Sequence, residues 1–126
     1  MIVGIGTDII EISRIKSAME KPGHSFLERV FSDKEIEYLQ KNNLSLQSTA
    51  GNFAAKEAVM KALGTGLRGF KLQDIEVLRD ELGKPYVVLS HNAKKIAEER
   101  NIQKIHLSIS HCKEYATAFA VAEKNE

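Results

Sequence analysis

The spacing of apolar and polar positions changes period repeatedly along this chain, and each change predicts an element. Residues 2–12, rich in Ile and Val, predict a first strand. Ser13 stands where an N-cap would open a short helix to about residue 21, stopped by Lys-Pro-Gly. HSFLERVF, residues 24–31, predicts a helical turn or two. Ser32 and Glu35 have capping-box spacing ahead of IEYLQK. A long helix is predicted over 46–63, with Gly64 at the C-terminal glycine position and GTGLRG as a loop. DIEVLRD and KPYVVLS predict two strands joined through ELGK as a hairpin. NAKKIAEERN predicts a polar-faced helix, and KIHLSIS and YATAFAVAE a closing pair of strands around HCKE. There is no internal repeat and no low-complexity segment. Hairpins with segregated helices predict an α+β fold: a single domain over 1–126, its mainly antiparallel sheet packed against a helical block.

Composition narrows the function. A chain of 126 residues with 43% hydrophobic positions has enough apolar material for one packed core. A domain this short buries a modest share of its surface, so self-association would help it. Lys and Arg total 18 against 17 acids, so no global charge draws the chain to nucleic acid or to an anionic membrane, and neither is expected as a partner. Cys112 is the only cysteine, which excludes an intrachain disulfide and fits a reducing compartment. MIVGIGTDII lacks a basic leader and is interrupted by Asp8, so a strand rather than a signal peptide is expected. No stretch approaches the ~20 apolar residues of a membrane span. The expected location is the cytoplasm.

The chemistry concentrates in FAAKEAVMKALGTG, residues 53–66. At about 100° per residue, Ala54, Ala55, Ala58, Val59, Ala62 and Leu63 cover half the helix, and Phe53 and Met60 extend the apolar character. Only Lys56, Glu57 and Lys61 break it. Glu57 and Lys61 share a face. An exposed ion pair worth ~0.3–0.5 kcal/mol is one reading; a charged strip in a cleft or interface is the other. In the first strand, alternation places Ile2, Gly4, Gly6, Asp8 and Ile10 on one face. Its glycines allow another backbone or a ligand to come close. Aspartate is a poor strand residue. Asp8 is either a strand-end residue bonded to backbone or one of two carboxylates converging with Glu57. Two carboxylates with positions left for phosphate oxygens and water suit Mg²⁺, and Lys61 beside them would stabilise phosphate charge.

GIGTDIIEISRI and FAAKEAVMKALGTG together resemble the two signatures of the 4′-phosphopantetheinyl transferase family. The single copy of the pattern in a short chain is similar to the bacterial holo-acyl-carrier-protein synthase type. The likeness runs over nearly the whole chain, to SISH before the last strand. It implies the family's fold and a reaction in which a serine of apo acyl carrier protein attacks the phosphorus bearing the pantetheine arm of coenzyme A. The products would be holo carrier protein and adenosine 3′,5′-bisphosphate, in support of fatty acid biosynthesis. By match to the motif, Asp8 and Glu57 would hold Mg²⁺ on the diphosphate and Lys61 would contact phosphate, all three forming the catalytic group. Positioning and charge neutralisation suffice for such a transfer. The general base stays open between Glu57 and a carboxylate acting through water.

The resemblance also assigns the coenzyme's contacts. Ser110 and His111 would meet its nucleotide part, and Pro85, first a hairpin-turn residue, would border the same cleft. Gly64 caps the helix, with backbone N–H groups of the GTG turn available to a ligand; there is no Walker pattern. Lys56 is either structural or reaches a phosphate. Relatives commonly read GRFA where this chain reads GNFA. Asn52 offers a phosphate a hydrogen bond but no charge, which leaves weaker binding or compensation by Arg68 or Lys71. Arg14 matches the position that pairs with the carrier protein, while Lys16 and Lys21 read as a solvated face. The resemblance implies a homotrimer with its sites shared between chains; Ala116, Ala118, Ala120 and Ala122 alternate with Thr117, Phe119 and Val121, so both faces are able to pack and a neighbouring copy would bury the one left over. The alternatives are a metal-dependent phosphohydrolase acting on coenzyme A and a non-enzymatic module with a structural ion network.

Overall fold

The computed structural model describes residues 1–23, 25–65 and 69–125. His24, in the predicted helical turn, and Gly66 and Arg68, in the predicted loop, lie outside them. The elements are β1 (Ile2–Glu11), α1 (Ile12–Glu20), α2 (Phe26–Val30), α3 (Asp33–Lys41), α4 (Leu46–Leu63), a 3-10 turn (Leu72–Asp74), β2 (Ile75–Arg79), β3 (Pro85–Leu89), α5 (His91–Glu99), β4 (Lys104–His111) and β5 (Tyr115–Glu123). The α+β reading holds. The strands divide into two antiparallel sheets, β1-β5-β4 and the β2-β3 hairpin.

α4 is the centre of the molecule. Ser45 caps its first turn by accepting from the Ser48 N–H, and Gly64 ends it at φ 82°, a left-handed conformation that suits glycine. Its small residues are buried in one cluster with Ala118, Ala120 and Ala122 of β5 and Ile75 and Val77 of β2. Gly4 and Gly6 turn toward it, and a Cβ on either would overlap the carbonyl oxygens of Ala62 and Ala58. The glycines therefore serve a close backbone approach, laying α4 antiparallel along β1.

One expectation is corrected. Ser13 is not an N-cap: α1 begins at Ile12, its capping position is Glu11, and no side chain caps it. The chain passes directly from strand to helix because the Ile12 N–H bonds Glu114 O at 2.8 Å while Ile12 and Ile15 bury against Ala50 and Ala116. The capping box at Ser32 and Glu35 forms as expected. In one chain a single face of the three-stranded sheet is covered, as expected for a helical block that supplies one cover. The alanine face of β5 is buried, whereas the other face leaves Ile5 73%, Ile9 67% and Phe119 58% exposed.

Candidate active site

Asp8 pairs with Ala118 of β5 and lies on the β1 face that meets α4. Its carbonyl accepts from Thr117 Oγ1 at 2.8 Å, which fixes the backbone there. Lys61 Nζ, one turn beyond Glu57 on α4, donates to Thr7 O at 2.9 Å and to Asp8 Oδ1 at 3.3 Å. Burial pushes the Glu57 carboxyl above its ordinary value, the Asp8 charge pushes it further, and Lys61 opposes both. That set of influences is the signature of two carboxylates converging on one place. The i,i+4 pairing of Glu57 with Lys61 is thus only part of the strip's role, since Lys61 reaches across to β1.

Asp8 and Glu57 share an open cleft of about 340 Å³ with Arg14, Phe53 and Tyr115. Arg14 is exposed and pairs with Glu11, another lining residue, at 3.3 Å. Tyr115 and Glu11 face each other across β5 and β1 and also line a neighbouring hollow with Lys16 and Lys113. Sequence reasoning did not single out Tyr115; its place opposite Glu11, where β1 passes into α1, depends on strand register.

An oxygen-only donor pair fits Mg²⁺, which commonly takes one or two carboxylates and leaves its other positions to phosphate and water. The shared cleft is the observation behind that fit: with Glu11 paired to Arg14 and Asp8 to Lys61, the Glu57 carboxylate is left as negative charge that a divalent ion would neutralise. Among the described residues no group of three or more His, Cys, Asp or Glu side chains gathers at one point.

The remaining predicted residues lie elsewhere in the chain. Ser110 pairs with Thr117, which pairs in turn with the exposed Ile9, so its side chain belongs to the open sheet face opposite Asp8. His111 ends β4, exposed, two strands from β1. Pro85 starts β3 in the second sheet, opposite Arg79. The Gly64 N–H is spent on Lys61 O at 3.0 Å and Met60 O at 3.3 Å, so this amide is engaged in the cap rather than open to a ligand.

Lys56 takes the structural one of its two options, and Asn52 meets a partner outside those considered for it. Lys56 is fully buried and binds Glu35, also fully buried, at 2.5 Å. Burial drives Lys56 below and Glu35 above their ordinary values, and each partner's charge opposes the shift. Asn52 is buried as well, on the side of α4 away from the cleft residues Phe53 and Glu57, where its Oδ1 accepts from Arg79 Nη2 at 2.7 Å. The guanidinium that meets position 52 therefore comes from β2, while Arg68 lies outside the described residues.

Comparison with known proteins follows the same outline. Residues 4–120 match the family model described as the 4′-phosphopantetheinyl transferase superfamily. A holo-[acyl-carrier-protein] synthase of Clostridium perfringens is 50% identical over 98% of this chain and 95% of its own. The crystal structure of holo-[acyl-carrier-protein] synthase from Neisseria meningitidis superposes with a TM-score of 0.91 at 38% identity, covering 98% of this chain and 100% of that one. The Bacillus anthracis holo-(acyl-carrier-protein) synthase in complex with CoA (3′,5′-ADP) gives 0.81 at 40% identity, over 99% of both chains.

Proposed function

The chain belongs to the 4′-phosphopantetheinyl transferase superfamily, and from that premise we propose that it transfers 4′-phosphopantetheine from coenzyme A to a serine of apo acyl carrier protein, releasing adenosine 3′,5′-bisphosphate. It is an enzyme of the holo-[acyl-carrier-protein] synthase type, as its half-identical relatives are. The observation that carries the reading is the cleft in which Asp8 and Glu57 converge beside Lys61, with Arg14 on its rim. Its biological setting in this reading is fatty acid biosynthesis in the cytoplasm; among the described residues no helix is long and apolar enough to cross a membrane.

Asp8 and Glu57 would hold Mg²⁺, which when bound supplies charge neutralisation on the diphosphate. Lys61, half-exposed and anchored to Thr7 O, is placed to donate to a phosphate oxygen as charge moves toward the leaving group. Arg14 presents positive charge at the mouth of the cleft, where an acidic carrier protein would be steered in. The proton of the attacking serine goes to Glu57 or, through water, to a carboxylate of the same cleft.

The active unit in this reading is a homotrimer. Ser110 and Asp8 occupy opposite faces of one sheet, so a single chain does not bring them together. The exposed Ile5, Ile9 and Phe119 form an apolar face suited to a neighbouring copy. Packing there would bring the Ser110–His111 edge of one chain against the Asp8–Glu57 cleft of the next, with coenzyme A between them.

One assay tests the reaction. The protein is mixed with coenzyme A, Mg²⁺ and apo carrier protein, and the carrier's mass is followed. A gain of one phosphopantetheine is expected. Coenzyme A breakdown without carrier gain would make the protein a phosphohydrolase, and no turnover would make it a binding module.

A further inference from the structure

Among the described residues β2 has one strand neighbour, β3. In an antiparallel pair, alternate residues direct their peptide groups to opposite sides. The Ile75 carbonyl and the Val77 N–H turn away from β3 into the core, where both residues are fully buried. Left alone there, these groups would be dry and unbonded. Lys56 Nζ donates to Ile75 O at 2.5 Å, and Glu35 Oε2 accepts from the Val77 N–H at 3.0 Å. The two side chains join each other through Glu35 Oε1, which also accepts from the Ser32 N–H at 2.9 Å. The ion pair thus gives β2 what an adjacent strand would give it, an acceptor and a donor at the right spacing. A second clamp, Arg79 to Asn52, fastens the other end of β2 to α4, one helical turn from Lys56.

We propose that Lys56 and Glu35 are positioning residues for the transfer, setting the β2–β3 hairpin, and with it Pro85, against the helix whose next residue is Glu57. This rests on the proposed reaction, in which Pro85 borders the nucleotide of coenzyme A. Burying two charges is costly even when they are paired, and a well-packed apolar pair is often as stable. An apolar pair, however, supplies neither bond to the strand. Glu35→Gln, which keeps an acceptor for Val77, therefore separates loss of charge from loss of position.

The experiment compares three proteins for melting temperature, coenzyme A KM and kcat: the parent, Glu35→Gln, and the double variant Lys56→Leu/Glu35→Leu. Glu35→Gln removes the charge and keeps an acceptor for Val77; it should melt lower and keep its KM within about threefold. The double variant leaves the Ile75 carbonyl and the Val77 N–H without partners, so it should also melt lower; unlike Glu35→Gln, its KM should rise about tenfold or more with kcat at saturation little changed, because the hairpin loses its register bonds. A double variant with the parent's KM overturns the proposal, as does an equal KM increase in Glu35→Gln. Should the double variant fail to fold, hydrogen exchange in the parent decides. A Val77 amide among the slowest to exchange supports the proposal, and one as fast as the turn amide of Leu82 overturns it. A parent that modifies no carrier protein overturns the reaction itself; calorimetric binding of adenosine 3′,5′-bisphosphate to the same variants then tests the hairpin's position independently.

Discussion

Gly6 of β1 lies against the Ala58 carbonyl of α4 so closely that a single methyl group on Gly6 would collide with it. Two residues further along β1 is Asp8, and one residue before Ala58 is Glu57. The same contact that closes the core therefore sets the separation of the two carboxylates.

Gly6→Ala should cost about 3 kcal/mol or more, because the obstacle is backbone and has no rotamer to escape into. Denaturant unfolding measures it. Any folded fraction should be poor in transfer, since β1 moves Asp8 away from Glu57. A variant with unchanged midpoint and rate would contradict the packing described.

Asp8→Ala and Glu57→Ala should each abolish transfer and weaken Mg²⁺-dependent coenzyme A binding while the fold persists. Both side chains line the open cleft rather than the core. Near-normal turnover with an unchanged Mg²⁺ requirement in either variant would remove the metal assignment.

The raised Glu57 carboxyl has a definite sign. A carboxyl that binds its proton more tightly in the folded than in the unfolded state adds stability below its ordinary range, about pH 4, and that contribution is lost as pH rises through the raised value. Metal-free protein at pH ~7.5 should therefore melt no higher than Glu57→Gln, and their difference should shrink on acidification toward pH ~4. Mg²⁺ affinity should fall on acidification from above the ordinary glutamate range. Melting curves across pH check the first and titration calorimetry the second. A metal-free parent more stable than Glu57→Gln at neutral pH would reverse the electrostatic account.

Arg14→Glu should raise the carrier-protein KM about tenfold and leave coenzyme A binding almost unchanged, because a rim charge acts mainly on encounter. Steady-state kinetics with each substrate varied separately decide it. An equal loss of coenzyme A affinity would move Arg14 into the nucleotide cleft.

Phe119→Glu should dissociate the assembly and abolish activity by placing charge on the open sheet face. Light scattering at assay concentration reads the mass. A second experiment mixes Asp8→Ala with His111→Ala after dissociation and reassembly. If the two residues serve one site from different chains, some mixed trimers regain an intact site and activity returns. Full activity from a stable monomer, or no recovery despite confirmed mixing, would refute shared sites.

Local pattern was enough for most of the secondary structure. The capping box at Ser32, the helix over 46–63 with Gly64 as its terminator, and the hairpin at 75–89 follow from interactions within a few residues, which neighbouring positions encode directly. The alanine face of β5 and the glycine face of β1 were equally legible, because strand alternation has a fixed period. The pairing of Asp8 with Glu57 was legible only through the combined motif; it became geometry when α4 was laid along β1.

Lys56 and Asn52 show where such reading stops. Both lie on α4 near the cleft residues, and helical spacing shows only that their directions differ from that of Glu57. Their partners are Glu35 and Arg79, 21 and 27 positions away, brought in by α3 and β2. Nothing local marks Glu35 as more than the far half of a capping box. Its burial against Val77 exists only after the hairpin docks, because a charge is stable in a core only beside partners that the fold assembles from distant parts of the chain. The separation of Ser110 from Asp8 has the same origin: each residue's side of its own strand follows from alternation, but the strand order β1-β5-β4 places them on opposite faces of one sheet.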